Sequence, residues 1–196
     1  MTDALCCTMR QVLQKIRGFL RDKRSRIAFI TTALCSVVAY LYYITNLISN
    51  NDMIACTPYG GGTTLSSGRW ALLLLTQLVD RFWGGHYNVP AFNAILALAE
   101  MAIAAALLIR LLDLKRPISC VCLTAITITI PVLGSTMFFS YSVHYYALSI
   151  TLMVVSAWLL KKNGWLPFLA AVATGAFSLE SIRLICPFWL FYCFCP

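Results

Sequence analysis

Ile27-Ala-Phe-Ile-Thr-Thr-Ala-Leu-Cys-Ser-Val-Val-Ala-Tyr-Leu-Tyr-Tyr-Ile-Thr-Asn-Leu-Ile48 decides what kind of protein this is. The stretch carries no charge and is about as long as the 20 or so residues a helix needs to cross a bilayer. Arg21, Lys23, Arg24 and Arg26 crowd its start, which predicts that this end stays in the cytoplasm. Tyr40, Tyr42 and Tyr43 stand near its far end, where an interfacial aromatic belt is expected. The first acid beyond it, Asp52, therefore emerges on the outer side.

The whole composition agrees. The 196 residues are 60% hydrophobic and 11% charged, with a mean hydropathy of +0.79. Soluble domains carry roughly 25% charged residues, so this surface has to face lipid. The expected fold class is all-α, a polytopic transmembrane bundle of about five to six spans with one membrane-parallel interfacial helix. The net charge of +8 does not predict a nucleic-acid partner. Seven of the fifteen Lys and Arg precede Ile27 and most others flank apolar runs, as topology signals and lipid-phosphate contacts do. The nine cysteines show neither a disulfide framework nor a zinc spacing.

Along the chain, residues 1–26 are a cytosolic basic tail. Val12, Leu13, Ile16, Phe19 and Leu20 recur at helical spacing, so it is either an amphipathic surface helix or a solvated tail. Residues 27–180 form the membrane domain, with spans at about 27–48, 91–112, 118–138, 145–160 and 165–180. The third is expected to kink at Pro131. Asp113-Leu-Lys-Arg-Pro117 and Lys161-Lys-Asn-Gly164 are basic turns on the inner side.

Residues 49–90 hold the outer loop and the interfacial helix. Thr57-Pro-Tyr-Gly-Gly-Gly-Thr-Thr64 has no helical or strand period. Arg69 to Trp83 is apolar but too short to span. On a helix, Arg69, Thr76, Gln77 and Asp80 share one face, which predicts a helix in the membrane plane.

Several residues admit two readings. Asp52 is either a reacting acid or a solvated one that ends the first span. Arg69 suits a phosphate through its planar fork, or a headgroup by snorkelling. Tyr141 and His144, beside Tyr145 and Tyr146, suit a sugar ring or an aromatic belt. Glu100 lies about halfway through the second span, where an acid costs about 2.5–3.5 kcal/mol on insertion scales. An intramembrane acid is by default a functional candidate. It is read either as a protonated packing group bonded to Thr124, Thr127 or Ser149, or as the coupling acid of a transporter.

The basic N-terminus, one span, an acid opening the first outer loop and a membrane-parallel helix before the second span resemble the GT-C class of polytopic glycosyltransferases. Asn51-Asp52 and Gly68-Arg69-Trp70, in that order and separation, resemble the bacterial Gtr-type O-antigen glucosyltransferase family. The resemblance spans about residues 25 to 180. It implies an inner-membrane enzyme that moves a glucosyl-type sugar from a polyprenyl-phosphate donor to a lipid-linked glycan acceptor, on the periplasmic face and with inversion. Asp52 matches the family's loop acid and is the implied general base. Asn51, Arg69, Trp70, Tyr141 and His144 are the candidate substrate contacts. No cofactor is expected; Met53 stands where a second acid would support a divalent metal. The rival readings are a small transporter or flippase, and a non-catalytic membrane scaffold.

Residues 181–196 break the pattern. Glu180 and Arg183 interrupt the fifth apolar run, and the text after them is rich in Cys, Phe and Trp. The resemblance implies a longer protein. A base lost near the Leu179 codon accounts for both, and predicts a truncated enzyme.

Overall fold

The computed structural model describes residues 10, 14, 17–46, 70–83, 89–139 and 142–181. Among them every regular element is an α-helix: α1 (Lys23–Thr45), α2 (Trp70–Trp83), α3 (Pro90–Leu111), α4 (Pro117–Thr129), α5 (Pro131–Met137), α6 (Val143–Leu160) and α7 (Trp165–Ser181). The chain is an all-α membrane protein. α1, α3 and α6 are each long and apolar enough to cross a bilayer, and α4 with α5 makes a fourth if the bent pair is one span. The sequence suggested five or six. The expected fifth, α7, has 17 residues, about 25 Å at the α-helical rise and shorter than a hydrocarbon core of about 30 Å.

Proline sets three of the helix starts. Pro90, Pro117 and Pro131 each sit in a first turn, where a missing N–H costs nothing and φ is already helical. Pro131 also breaks the third apolar run: α4 and α5 meet at 43°, where the sequence places a kink. α3 ends in a Schellman motif. Leu114 N–H donates to Ile109 O at 3.0 Å and Asp113 N–H to Arg110 O at 3.2 Å, with Asp113 left-handed at φ 48°. Asp tolerates that conformation better than most residues. Leu114 then packs beside Ile109 and Cys120, the apolar contact that accompanies the motif.

α3 is the centre of the bundle, packed against α1, α4 and α6. α6 packs in turn on α7, and α7 on α2. One core cluster joins Tyr40 of α1 to Ala94, Ala97, Leu98 and Met101 of α3 and to Ile128 of α4. The alanine-rich face of α3 lets backbones approach closely, as membrane helix pairs require. Gly175 does the same for α7: a Cβ there would lie 3.0 Å from Ser156 Oγ, and that hydroxyl donates to Ala171 O at 2.7 Å.

The basic turns gather at one end. Arg24 pairs with Asp113 at 2.9 Å, Arg110 with Asp22 at 2.9 Å, and Lys161 Nζ donates to Leu111 O at 3.1 Å. Asp22 is the N-cap residue of α1 yet makes no side-chain cap; its carboxylate accepts from Arg110 instead. Arg110 also lies 4.2 Å above the Phe19 ring, a cation–π contact that ties the helical segment 17–21 to the bundle. α1 starts at Lys23, not at Ile27. Its first turn thus carries Lys23, Arg24 and Arg26 at an electropositive helix end, and the two ion pairs compensate.

The far end is assembled by aromatic side chains. Tyr40 is buried and donates to Ile128 O at 2.7 Å, and Tyr43 meets Phe138 edge-on with ring centroids 5.9 Å apart. Of the three tyrosines read as an aromatic belt, Tyr42 alone is exposed, at 71%. The other two are interior contacts, because α4 and α5 bend past that end of α1. The tail 181–196 lies outside the described residues after Ser181, as does the loop 47–69.

Candidate functional site

The end opposite the basic turns holds the polar and aromatic groups that can meet a substrate. α2 packs on α7 and meets α6 through Thr76. Trp70 stands edge-on to Phe177 of α7, with centroids 6.2 Å apart. One turn and a half later Thr76 shares a side-chain hydrogen bond with Tyr145 of α6, and Asp80 lies near the same phenol. Thr76 and Asp80 belong to the face that the helical wheel sets apart as polar, and that face turns toward α6. Leu74, Leu78 and Phe82 face away from the bundle.

Position 144 adds an imidazole beside this cluster. His144 and Tyr145 have ring centroids 3.8 Å apart. His144 Nδ1 is buried and has no hydrogen-bond partner. A neutral ring nitrogen so placed can accept a hydroxyl hydrogen. Glu100 lies deeper. Thr151 Oγ1 donates to the Glu100 carbonyl at 3.1 Å. That level is seven residues below His144 on α6, about 10 Å along the helix.

The carboxyl of Glu100 does not find the hydroxyls expected for it. Thr124, Thr127 and Ser149 donate to Cys120, Leu123 and Tyr145 carbonyls of their own helices, each at 2.8 Å. Oε2 of Glu100 is buried without a partner.

Of the seven sequence candidates the structure places three: Trp70 against Phe177 of α7, His144 at the start of α6, and Glu100 below His144. Asn51, Asp52, Arg69 and Tyr141 lie outside the described residues. Tyr145 is the residue whose role the sequence understated. Its signal was the spacing of Thr76 and Asp80 on α2, which a helical wheel shows but does not assign to a partner. Among the described residues no three His, Cys, Asp or Glu side chains gather where they could hold a metal.

The family model described as Glucosyl transferase GtrII matches residues 41–180. The chain belongs to that family. The match begins in the last turns of α1 and runs to the penultimate residue of α7, so it takes in residues 47–69, α2 and every helix that bears a candidate residue. Membership in the GtrII family makes this membrane chain one of a glucosyltransferase group. It also gives the Trp70, Tyr145 and His144 end a chemical context that composition alone lacks. No curated protein and no solved structure matches the sequence.

Proposed function

We propose that this GtrII-family chain transfers a glucosyl unit from a polyprenyl-phosphate donor to a lipid-linked O-antigen acceptor, at the membrane face opposite its basic turns. The observation that carries the reading is the sorting of the bundle's ends. Cations collect at the end holding Arg24, Arg110 and Lys161. Trp70, Tyr145 and His144 collect at the other. By the positive-inside rule the first end is cytoplasmic and the second periplasmic, in the bacterial inner membrane.

Asp52 is the general base, in a loop whose flanking helices, α1 and α2, reach the second end. It takes the acceptor hydroxyl proton as the oxygen attacks the anomeric carbon. The bond to the donor phosphate breaks and the configuration inverts. Arg69 offers two parallel N–H donors to the leaving phosphate, and Asn51 contacts the substrate. Trp70, Tyr141 and His144 contact the sugar. The test is transfer in reconstituted membranes supplied with polyprenyl-phosphate glucose and a lipid-linked glycan. Asp52→Asn is expected to lose transfer by two orders of magnitude or more, the range of general-base contributions; wild-type turnover in that variant removes Asp52 from the mechanism.

One observation favours a second reading. The unpartnered carboxyl oxygen of Glu100 at mid-depth suits the coupling acid of a transporter. Glu100→Gln separates the two: a transporter loses transport, whereas the transferase keeps its turnover.

A further inference from the structure

Three contacts close a triangle among α2, α6 and α7. Trp70 of α2 stands edge-on to Phe177 of α7. Ser178, the next residue of α7, is fully buried and donates its hydroxyl to Ser149 O of α6 at 2.6 Å. Four residues before Ser149, about one turn, Tyr145 shares its hydrogen bond with Thr76, which returns the circuit to α2.

The sides of the triangle are unequal. α6 and α7 pack along one another and share a second hydroxyl bond, from Ser156 to Ala171 O, so they form one rigid pair. Among the described residues α2 packs to any extent on α7 alone, and its Leu74, Leu78 and Phe82 are exposed. Contact with α7 fixes where α2 sits. The bond at Thr76 fixes how it leans toward α6. Trp70 and Thr76 lie six residues apart on α2, about 9 Å along the axis. A rod held at one point can tilt about it, whereas two points fix its direction.

Tyr145 is the firm side of that second point. It is 6% exposed, its ring lies on His144 with centroids 3.8 Å apart, and its carbonyl accepts from Ser149 Oγ at 2.8 Å. With ring and backbone both held, the phenol oxygen is a fixed post and Thr76 the partner that docks on it.

We propose that Tyr145 is a positioning residue for sugar transfer: through Thr76 it holds α2 in the docked orientation that presents Trp70 to the donor sugar. The inference rests on the transfer reading above, and Tyr145 itself touches no substrate in it. If only docked molecules bind the donor, the apparent affinity falls in proportion to the docked fraction, and saturating donor restores the docked state. Losing the bond therefore raises KM for the donor and leaves kcat nearly as it was. A chain that is merely less stable does the opposite, because it loses active molecules at unchanged KM.

The test uses the full chain in lipid nanodiscs and two readouts, amide hydrogen exchange and transfer from polyprenyl-phosphate glucose. Tyr145→Phe keeps the ring and removes the hydroxyl. Exchange in residues 70–83 is expected to quicken about three- to fifteenfold, the effect of one side-chain bond between membrane helices, with α3 and α6 unchanged. KM for the donor is expected to rise at least threefold, with kcat within twofold of wild type. Thr76→Val should reproduce both effects, Thr76→Ser should behave as wild type, and the double variant Tyr145→Phe with Thr76→Val should be no worse than either single change, since both remove one bond. The proposal is overturned if exchange in 70–83 does not change, if kcat falls at constant KM, if neither constant moves, or if the two changes add. Exchange needs no turnover, so the two readings fail separately. A wild-type chain that moves no glucose refutes the function, and the exchange arm still decides whether Tyr145 holds α2. A chain that moves glucose while Tyr145→Phe leaves exchange and KM untouched refutes the positioning role alone.

Discussion

Replacing Tyr40 by Phe isolates one hydroxyl at the joint between α1 and the broken third apolar run. The ring stays in the cluster with Ala94, Leu98 and Ile128, so packing is retained. What is lost is the 2.7 Å bond to Ile128 O, made in the last turn before Pro131, where the backbone ladder is already interrupted. Side-chain hydrogen bonds between membrane helices average about 0.6 kcal/mol and reach about 1.7. Leaving a buried carbonyl without this donor adds to the cost, since an orphaned group carries about 1–3 kcal/mol. A net loss of about 1–2 kcal/mol follows, or roughly 2–8 °C in Tm for a chain of this size. Thermal unfolding of the purified protein in one fixed detergent measures it. Tyr42→Phe is the control, because that ring is exposed, and it should melt with wild type. If Tyr40→Phe also melts with wild type, the bond does not hold α1 to the break and the reasoning fails.

Other expectations come from the same geometry. Gly175→Val forces a side chain against Ser156 Oγ and is expected to cost about 1–3 kcal/mol, the range for overpacking; adding Ser156→Ala should recover part of the Tm, and no recovery would place the clash elsewhere. Asp113 is held below the usual carboxylate range, first by its hydrogen bond from Arg24 and then by the charge of Lys115. Its lowered folded pKa makes its contribution complete above the unfolded value near 3.9. That contribution fades as pH falls through the lower folded value, so Asp113→Asn should flatten the acid limb of a Tm–pH profile; an unchanged limb refutes the pairing. Glu100→Gln keeps size and removes an ionisable group from mid-membrane, so it should insert at least as well as wild type in a translocon assay, and poorer insertion would show that the carboxyl makes a needed contact.

The helices themselves were legible because their signals are local. Uncharged runs of about 20 residues, prolines at three starts and basic turns between them fixed the order of the elements, and α3 and α6 begin within two residues of where the runs predict. The start of α1 was not legible. Lys23, Arg24 and Arg26 read as the membrane edge, but their long stems allow the helix to begin four residues earlier while the charges reach solvent and their acids. Partners were the larger blind spot. Tyr40, Tyr42 and Tyr43 look alike in the sequence, and only the bend at Pro131 decides which of them turns inward. Thr124, Thr127 and Ser149 were plausible hydroxyls for Glu100 by depth, yet each found a carbonyl on its own helix. The site was half legible for the same reason. Trp70 and His144 were visible as candidates, whereas the meeting of Thr76 with Tyr145 joins residues 69 positions apart and has no local signature.

The closure between Asp22 and Arg110 spans 88 residues, and that between Tyr40 and Ile128 also spans 88. At a synthesis rate of about 5–20 residues per second, the first helix waits about 4–18 s for either partner. During that interval Asp22 has no Arg110 and the Tyr40 hydroxyl no carbonyl from α4. Assembly of this bundle is therefore timed by the ribosome, with α1 held in place by its own hydrophobicity until α3 and α4 arrive to lock both of its ends.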